Sequence, residues 1–262
     1  MNNQVTALIF DVDGTLAQEG ELVSIDTVRR IIRLAKTYDL RVGICTGRAY
    51  PLVSYLESMF ARSGFELQFT SYEYGVSQSY LDGDSTYHQI HLFDDYARIQ
   101  KIVQDLDPKW MLGFHYGDNS YKVCGEEGLD FVRSKFPTQT NLFGFVSKYQ
   151  FLSDISWMGM IRMKKDSWGD SELKFLDSFN PKHGLGELYK VSKAQSILVL
   201  LEQGFHQVLY CGNENSDREV FGISEIVSWN VGEDGEAIFQ VSSPSGLLDS
   251  VEEYLKLRYC FL

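Results

Sequence analysis

Short apolar runs alternate with amphipathic stretches along this chain. Residues 5–10, 40–45 and 206–211 are compact runs of β-forming and apolar side chains, and each reads as a buried strand. After the first run, Val28, Ile31, Ile32, Leu34 and Ala35 recur at helical spacing, with Ser24 or Asp26 as N-cap. A second helix is expected over about residues 50–63 and a strand near residues 67–71. Later, Ala194, Ile197, Leu198 and Leu201 share one helical face that Ser192 caps and Gly204 ends. Strand-like residues 225–231 and 237–241 and an amphipathic helix over about 246–257 complete the chain. Strand, helix, strand in this order predicts parallel βαβ units with right-handed crossovers, hence an α/β sheet.

Between about residues 88 and 187 the pattern changes. Ile99, Ile102, Val103 and Leu106 mark a helix ended by Asp107-Pro108. Residues 110–116 and 120–124 read as a hairpin turning at Gly117-Asp118. A helix near 129–135, strands near 143–149 and 155–164, and a helix near 172–179 follow. This mixture predicts a small α+β domain inserted into the parallel sheet. The expected division is a core of residues 1–87 and 188–262 with an insert of residues 88–187. Two-residue alternation places Met158, Met160, Arg162 and Lys164 on one strand face, either looking onto a substrate or forming a solvated surface over packed methionines.

Net charge modifies this picture. The chain has 262 residues, 44% of them hydrophobic, and a formal charge of −12. That balance argues against nucleic acid or an anionic membrane as partner, and an anionic substrate needs a local cluster of cations. No apolar run approaches the ~20 residues of a membrane span. The N-terminal residues lack the basic region of a signal peptide. Cys45, Cys124, Cys211 and Cys260 show no metal-ligand spacing, which fits reduced thiols in a cytoplasmic protein. His88 and His91 have no acid or cysteine partner to complete a metal site, and His115, His183 and His206 read as ordinary histidines.

Candidate chemistry gathers at the carboxyl ends of the strands, where α/β sheets bind ligands. The first run ends in Asp11-Val12-Asp13-Gly14-Thr15. Two close carboxylates repel unless a cation lies between them, and oxygen-only ligands suit a hard ion such as Mg²⁺. The second ends in Thr46-Gly47-Arg48, a hydroxyl followed by free backbone N–H groups. Lys193 opens the helix capped by Ser192. The 206–211 strand runs into Gly212-Asn213-Glu214-Asn215-Ser216-Asp217, a polar turn.

These four turns resemble, in order, the four motifs of the haloacid dehalogenase (HAD) superfamily, in its Cof-like branch. The resemblance implies a Rossmannoid parallel core with an α+β cap inserted between the second and third motifs. It also implies a Mg²⁺-dependent phosphatase acting on a small phosphomonoester through an aspartyl-phosphate. Asp11 is then the nucleophile and Asp13 the general acid and base. Thr46 and Lys193 bind the transferring phosphoryl oxygens, and Gly47, Arg48 and Ser216 join them around the substrate. The metal set is Asp11, the backbone carbonyl of Asp13, Asn213 and Asp217, with Glu214 nearby. The cap closes over the site and reads the leaving group. Three departures stand out: Asn213 replaces the aspartate that usually ligates the metal, Ser216 replaces an asparagine, and Tyr74 precedes Gly75 where the branch usually has asparagine. Two other classes therefore stay open, a non-catalytic HAD-like binding protein and a phosphotransferase or mutase. Oligomeric state is left open.

Overall fold

In the computed structural model, residues 6–18, 21–82, 85–180, 184–213, 215–232 and 236–259 are described. They divide into two compact units, 1–89 with 192–262, and 90–191. The first unit begins with β1 (Thr6–Phe10), α1 (Ile25–Tyr38), β2 (Leu40–Cys45), α2 (Tyr50–Arg62), β3 (Phe69–Tyr72), β4 (Ser77–Asp82) and β5 (Ser85–Ile90). In the second unit follow α3 (Tyr96–Leu106), β6 (Trp110–His115), β7 (Ser120–Cys124), α4 (Glu126–Lys135), β8 (Phe143–Phe145), α5 (Lys148–Asp154), β9 (Met160–Lys164), α6 (Asp170–Leu173), β10 (Ser178–Asn180) and β11 (Leu185–Tyr189). The chain returns to the first unit with α7 (Lys193–Glu202), β12 (Gln207–Gly212), α8 (Arg218–Phe221), β13 (Ile226–Val231), β14 (Phe239–Val241) and α9 (Pro244–Tyr259).

The first unit's sheet has the order β14-β13-β12-β1-β2-β3-β4-β5. Its strands from β14 to β3 run parallel, and β3 pairs antiparallel with β4. β1 lies at the centre, which explains its uniformly apolar run: every residue from Thr6 to Phe10 is buried. Helix α1 starts where Ser24 Oγ accepts the Thr27 N–H at 3.0 Å and stops at Asp39 in the left-handed region, φ 52°. Its apolar stripe packs with α9 and one sheet face, around Phe10, Val42, Trp229 and Leu247. Ile9, Tyr210, Ile197 and Phe221 belong to the core of the other face. No helix among the described residues is long and apolar enough to cross a membrane.

The expected parallel α/β core is present. β4 and β5 had no counterpart in the sequence reading, because their residues lack an apolar alternation and all six residues of β5 are exposed.

The second unit has its own sheet, β10-β11-β9-β6-β7-β8, and its own core around Val103, Met111, Phe151, Ile161 and Met163. The hairpin of β6 and β7 forms as expected. Three expectations are corrected. The 143–149 strand ends at Phe145, because Ser147 Oγ accepts the Gln150 N–H at 3.2 Å and starts α5. The 155–164 strand begins only at Met160, since Ile155–Trp157 forms a 3₁₀ turn whose Ile155 carbonyl takes the Met158 N–H. Met158 therefore packs with Ile161 and Met163 in the core and does not share the Arg162 and Lys164 face. The 172–179 helix shrinks to the single turn of α6, because residues 178–180 pair antiparallel with β11. Arg162 Nε donates to the buried Glu187 carboxylate at 2.8 Å.

Candidate active site

The first motif begins where β1 ends. The Asp11 N–H still donates to the Cys211 carbonyl at 2.8 Å, so the sheet fixes the backbone at the first carboxylate. Beyond it the chain turns back on itself, with Leu16 N–H on the Val12 carbonyl at 3.0 Å and Gly14 N–H on the Ala17 carbonyl at 2.7 Å. Gly14 has φ +73°, and a Cβ there would meet Asn213 Nδ2 at 2.1 Å. Only glycine lets the fourth motif's side chain lie on this turn. The buried Thr15 adds a hydroxyl hydrogen bond, Oγ1 to Asn213 Oδ1 at 3.0 Å. The first and fourth motifs are thus tied together through Thr15, Gly14 and Asn213.

The second motif follows β2. Thr46 is fully buried, and its N–H donates to the Ser71 carbonyl at 2.9 Å. Its hydroxyl accepts the Arg48 N–H at 3.2 Å. Gly47 between them is partly exposed. Arg48 is buried, with Nε on Asp13 Oδ2 at 2.6 Å and Nη2 on Asp13 Oδ1. The planar guanidinium fork matches a carboxylate in this two-point way. Glu73 and Tyr74, both at positive φ, carry the chain past this turn: Tyr74 N–H donates to the Thr46 carbonyl, and Glu73 N–H to the Arg48 carbonyl, each at 3.0 Å.

Lys193 opens α7, whose start is fixed by a reciprocal cap. Ser192 Oγ accepts the Gln195 N–H, and Gln195 Oε1 accepts the Ser192 N–H. From this anchor the buried Lys193 Nζ donates to Asp11 Oδ1 and to Asp217 Oδ1, both at 2.8 Å, and stands 5.5 Å from the centre of the Tyr74 ring. Asp217 also accepts the Tyr210 hydroxyl on Oδ1 at 2.5 Å and the Asn213 N–H on Oδ2 at 2.9 Å.

Asp217, which the sequence reading placed among the metal ligands, is engaged by protein donors. Both of its oxygens accept protein donors, and it anchors Lys193 and the fourth turn. Glu214 lies outside the described residues. Among the described residues, Ser216 Oγ is buried with no hydrogen-bond partner, and so is Asp11 Oδ2. An unpartnered carboxylate oxygen is costly to bury, which marks it as a place where a further group binds.

Burial dominates the electrostatics of Asp11. It pushes the carboxyl up to about 7, against the lowering effect of Lys193, with Asp217 and Asp13 adding to the rise. Burial also pushes the Cys45 thiol up to about 12, so this cysteine beside Thr46 is an inert core group. The Tyr210 phenol is held well above its ordinary range, by burial first and then by Asp217, so it stays a donor. Among the described residues no cluster of three or more His, Cys, Asp or Glu side chains is arranged around a metal position. Oxygen ligands are offered by Asp11 Oδ2 and by the Asn213 amide, whose oxygen also accepts the Thr15 hydroxyl. They suit a hard divalent cation.

The structure brings Asp11, Asp13, Thr46, Arg48, Lys193, Asn213 and Asp217 together in the first unit. The sequence reading missed Thr15, Tyr74 as a neighbour of Lys193, and Tyr210. Tyr210 read only as one residue of a strand, and nothing in its local pattern points to Asp217.

A family model described as haloacid dehalogenase-like hydrolase matches residues 8–65. A search of curated protein sequences returns no match. Solved structures are similar over nearly the whole chain. The HAD subclass IIB sugar phosphatase BT4131 is 14% identical with a TM-score of 0.70, covering 95% of this chain and 99% of its own. A haloacid dehalogenase-like hydrolase from Bacteroides thetaiotaomicron is 17% identical with a TM-score of 0.67, over 95% and 99%. One from B. subtilis is 18% identical with a TM-score of 0.65, over 95% and 98%. Residues 8–65 carry the haloacid dehalogenase-like hydrolase pattern, and the chain as a whole has the fold of that superfamily.

Proposed function

We propose that the chain is a phosphomonoester hydrolase acting on a small metabolite such as a sugar phosphate. One observation carries the reading: the buried Asp11 carboxylate has one oxygen on Lys193 and the other without a partner among the described residues. An oxygen held by a lysine and an oxygen left open suit a nucleophile that meets a charged phosphoryl group. Asp11 attacks phosphorus, the ester oxygen leaves, and an aspartyl-phosphate forms. Asp13 gives a proton to the leaving alcohol and then takes one from the water that hydrolyses the acyl phosphate, so Asp11 is regenerated and inorganic phosphate departs. To donate, Asp13 must first exchange its contacts with Arg48 for the substrate oxygen. Lys193, Thr46 and the open Ser216 hydroxyl hold the phosphoryl oxygens. Gly47 allows the backbone to approach them, and residues 90–191 select the leaving group.

Mg²⁺ fits the oxygen donors at this site, where Asp11, the Asp13 carbonyl and Asn213 would hold it. When bound it neutralises charge between the carboxylate and the phosphoryl group. The buried thiols of Cys45, Cys124 and Cys211 support a reducing, cytoplasmic setting.

Hydrolysis of an aryl phosphate by the purified protein, with and without Mg²⁺, tests the reading, followed by a panel of sugar phosphates. A second reading, a phosphate-binding protein without turnover, is favoured by the Arg48–Asp13 pair and the neutral Asn213. Release of no phosphate from any ester at any Mg²⁺ concentration would leave that reading in place. A phosphate isomer as product would support a mutase.

A further inference from the structure

We propose that Tyr210 is a positioning residue: its hydroxyl, bonded to Asp217, sets how Lys193 is shared between Asp217 and Asp11. This rests on the reading of Asp11 and Lys193 as the phosphoryl-transfer pair, and adds a residue outside the four motif turns.

Lys193 Nζ lies 2.8 Å from an oxygen of each carboxylate, and all three side chains are buried. In that setting an ammonium moves toward whichever carboxylate carries more uncompensated charge. Tyr210 donates to the same Asp217 oxygen that accepts from Lys193. A donor on that oxygen draws off part of its charge and weakens its hold on the ammonium. More of the lysine's field then acts at Asp11, where the charge of the reacting group develops. Without the phenol, Asp217 holds Lys193 closer and Asp11 loses part of its counter-charge.

The phenol is built rigidly enough for this. Tyr210 is a mid-strand residue of β12, paired on one side with Ile9 of β1 and on the other with Ser228 of β13. Its ring is fully buried and meets Phe221 edge-on at 6.1 Å. The second aromatic neighbour, Tyr74, limits the space around the ammonium from its ring face, 5.5 Å away. Tyr74 is itself fixed by backbone bonds, its N–H on Thr46 and its carbonyl accepting from Ser196 Oγ at 3.0 Å.

Tyr210→Phe keeps the ring and its packing and removes only the hydroxyl. Aryl phosphate hydrolysis by the intact protein is measured for the parent, Tyr210→Phe, Asp217→Asn and the double variant, alongside calorimetric titration of inorganic phosphate. The expected result is a fall of about tenfold in kcat for Tyr210→Phe, typical of a lost hydrogen bond to a charged group, with KM within about twofold. Phosphate affinity should fall in the same variant. On the Asp217→Asn background the Tyr210 substitution should change neither quantity further. A merely structural role predicts a lower Tm with unchanged kcat and affinity per folded molecule, and that result overturns the proposal. So does an effect of the same size on both backgrounds. If the parent hydrolyses no ester but binds phosphate, the hydrolase reading fails while the affinity series still decides the role of Tyr210. If the parent binds no phosphate either, both fail.

Discussion

Arg48 holds Asp13 at two points, with Nε 2.6 Å from one carboxylate oxygen and Nη2 on the other. The arginine side chain is almost completely buried, and Asp13 is about four-fifths buried. In the proposed hydrolysis this pair lies across the step in which Asp13 must reach a leaving group. The contact fixes the buried guanidinium beside the first turn. Removing one partner of a buried pair leaves the other charge uncompensated.

Arg48→Ala is expected to destabilise the first unit by about 3 kcal/mol, in the range for breaking a buried ion pair. Urea denaturation of Arg48→Ala, Asp13→Ala and the double variant measures the coupling. A coupling energy below about 0.5 kcal/mol, the scatter expected of independent sites, would mean that the two residues do not support each other.

Asp11 gives a pH prediction. Its folded carboxyl is raised from 3.8 to about 7, so the folded protein holds this proton more tightly than the unfolded chain does. The group therefore costs no stability below pH 4. Its cost grows as pH rises between about 4 and 7, and is complete above 7. Asp11→Asn should raise Tm at pH 8 by several degrees, and the gain should shrink toward zero near pH 4. Turnover in the same variant should fall by several orders of magnitude. Thermal scans at pH 4, 6 and 8 check the sign. A gain that is constant with pH would show that Asp11 is not a high-pKa carboxyl.

On the proposed reading Mg²⁺ uses the open side of Asp11, so it should compete with that proton. The rise in Tm on adding millimolar MgCl₂ should be larger at pH 8 than at pH 5. Equal shifts at the two pH values would place the ion elsewhere.

Asn213→Asp restores a carboxylate while keeping an oxygen for the Thr15 hydroxyl, which lies 3.0 Å from the present amide oxygen. The expected outcome is Mg²⁺ binding about tenfold tighter by calorimetry, with higher turnover at limiting metal. Tighter metal with no hydrolysis of any ester would favour the binding-protein reading. If affinity and rate both stay put, Asn213 is not at the metal, and Glu214 becomes the residue to test.

The two units have separate cores, which predicts a separable first unit. Joining residue 89 to residue 192 through a short flexible linker should leave a folded protein that still hydrolyses an aryl phosphate. Its discrimination among sugar phosphates should fall at least about tenfold, the scale of a few lost pocket contacts. Unchanged selectivity would remove residues 90–191 from substrate choice.

The sequence by itself determined the elements whose causes are local. The apolar run of β1, the Ser24 and Ser192 caps and the spacing of α1 are each written within a dozen residues, and the four polar turns follow from strands that end. That was enough for the parallel core, with Asp11 and Thr46 just past strand ends and Lys193 at a helix start. Local signals failed where pairing with distant chain decides the conformation. Residues 178–180 become a strand because β11 lies beside them, and β4 and β5 extend the sheet with side chains that carry no apolar alternation. Only the tertiary structure decided what the charged groups do. Lys193 reaches Asp11 across 182 residues of sequence, Arg48 closes on Asp13, and Asp217 accepts Tyr210, Lys193 and the Asn213 N–H at once. A carboxylate's use is set by the donors and the burial around it, and those come together only when the parallel strands lie side by side and their carboxyl ends converge.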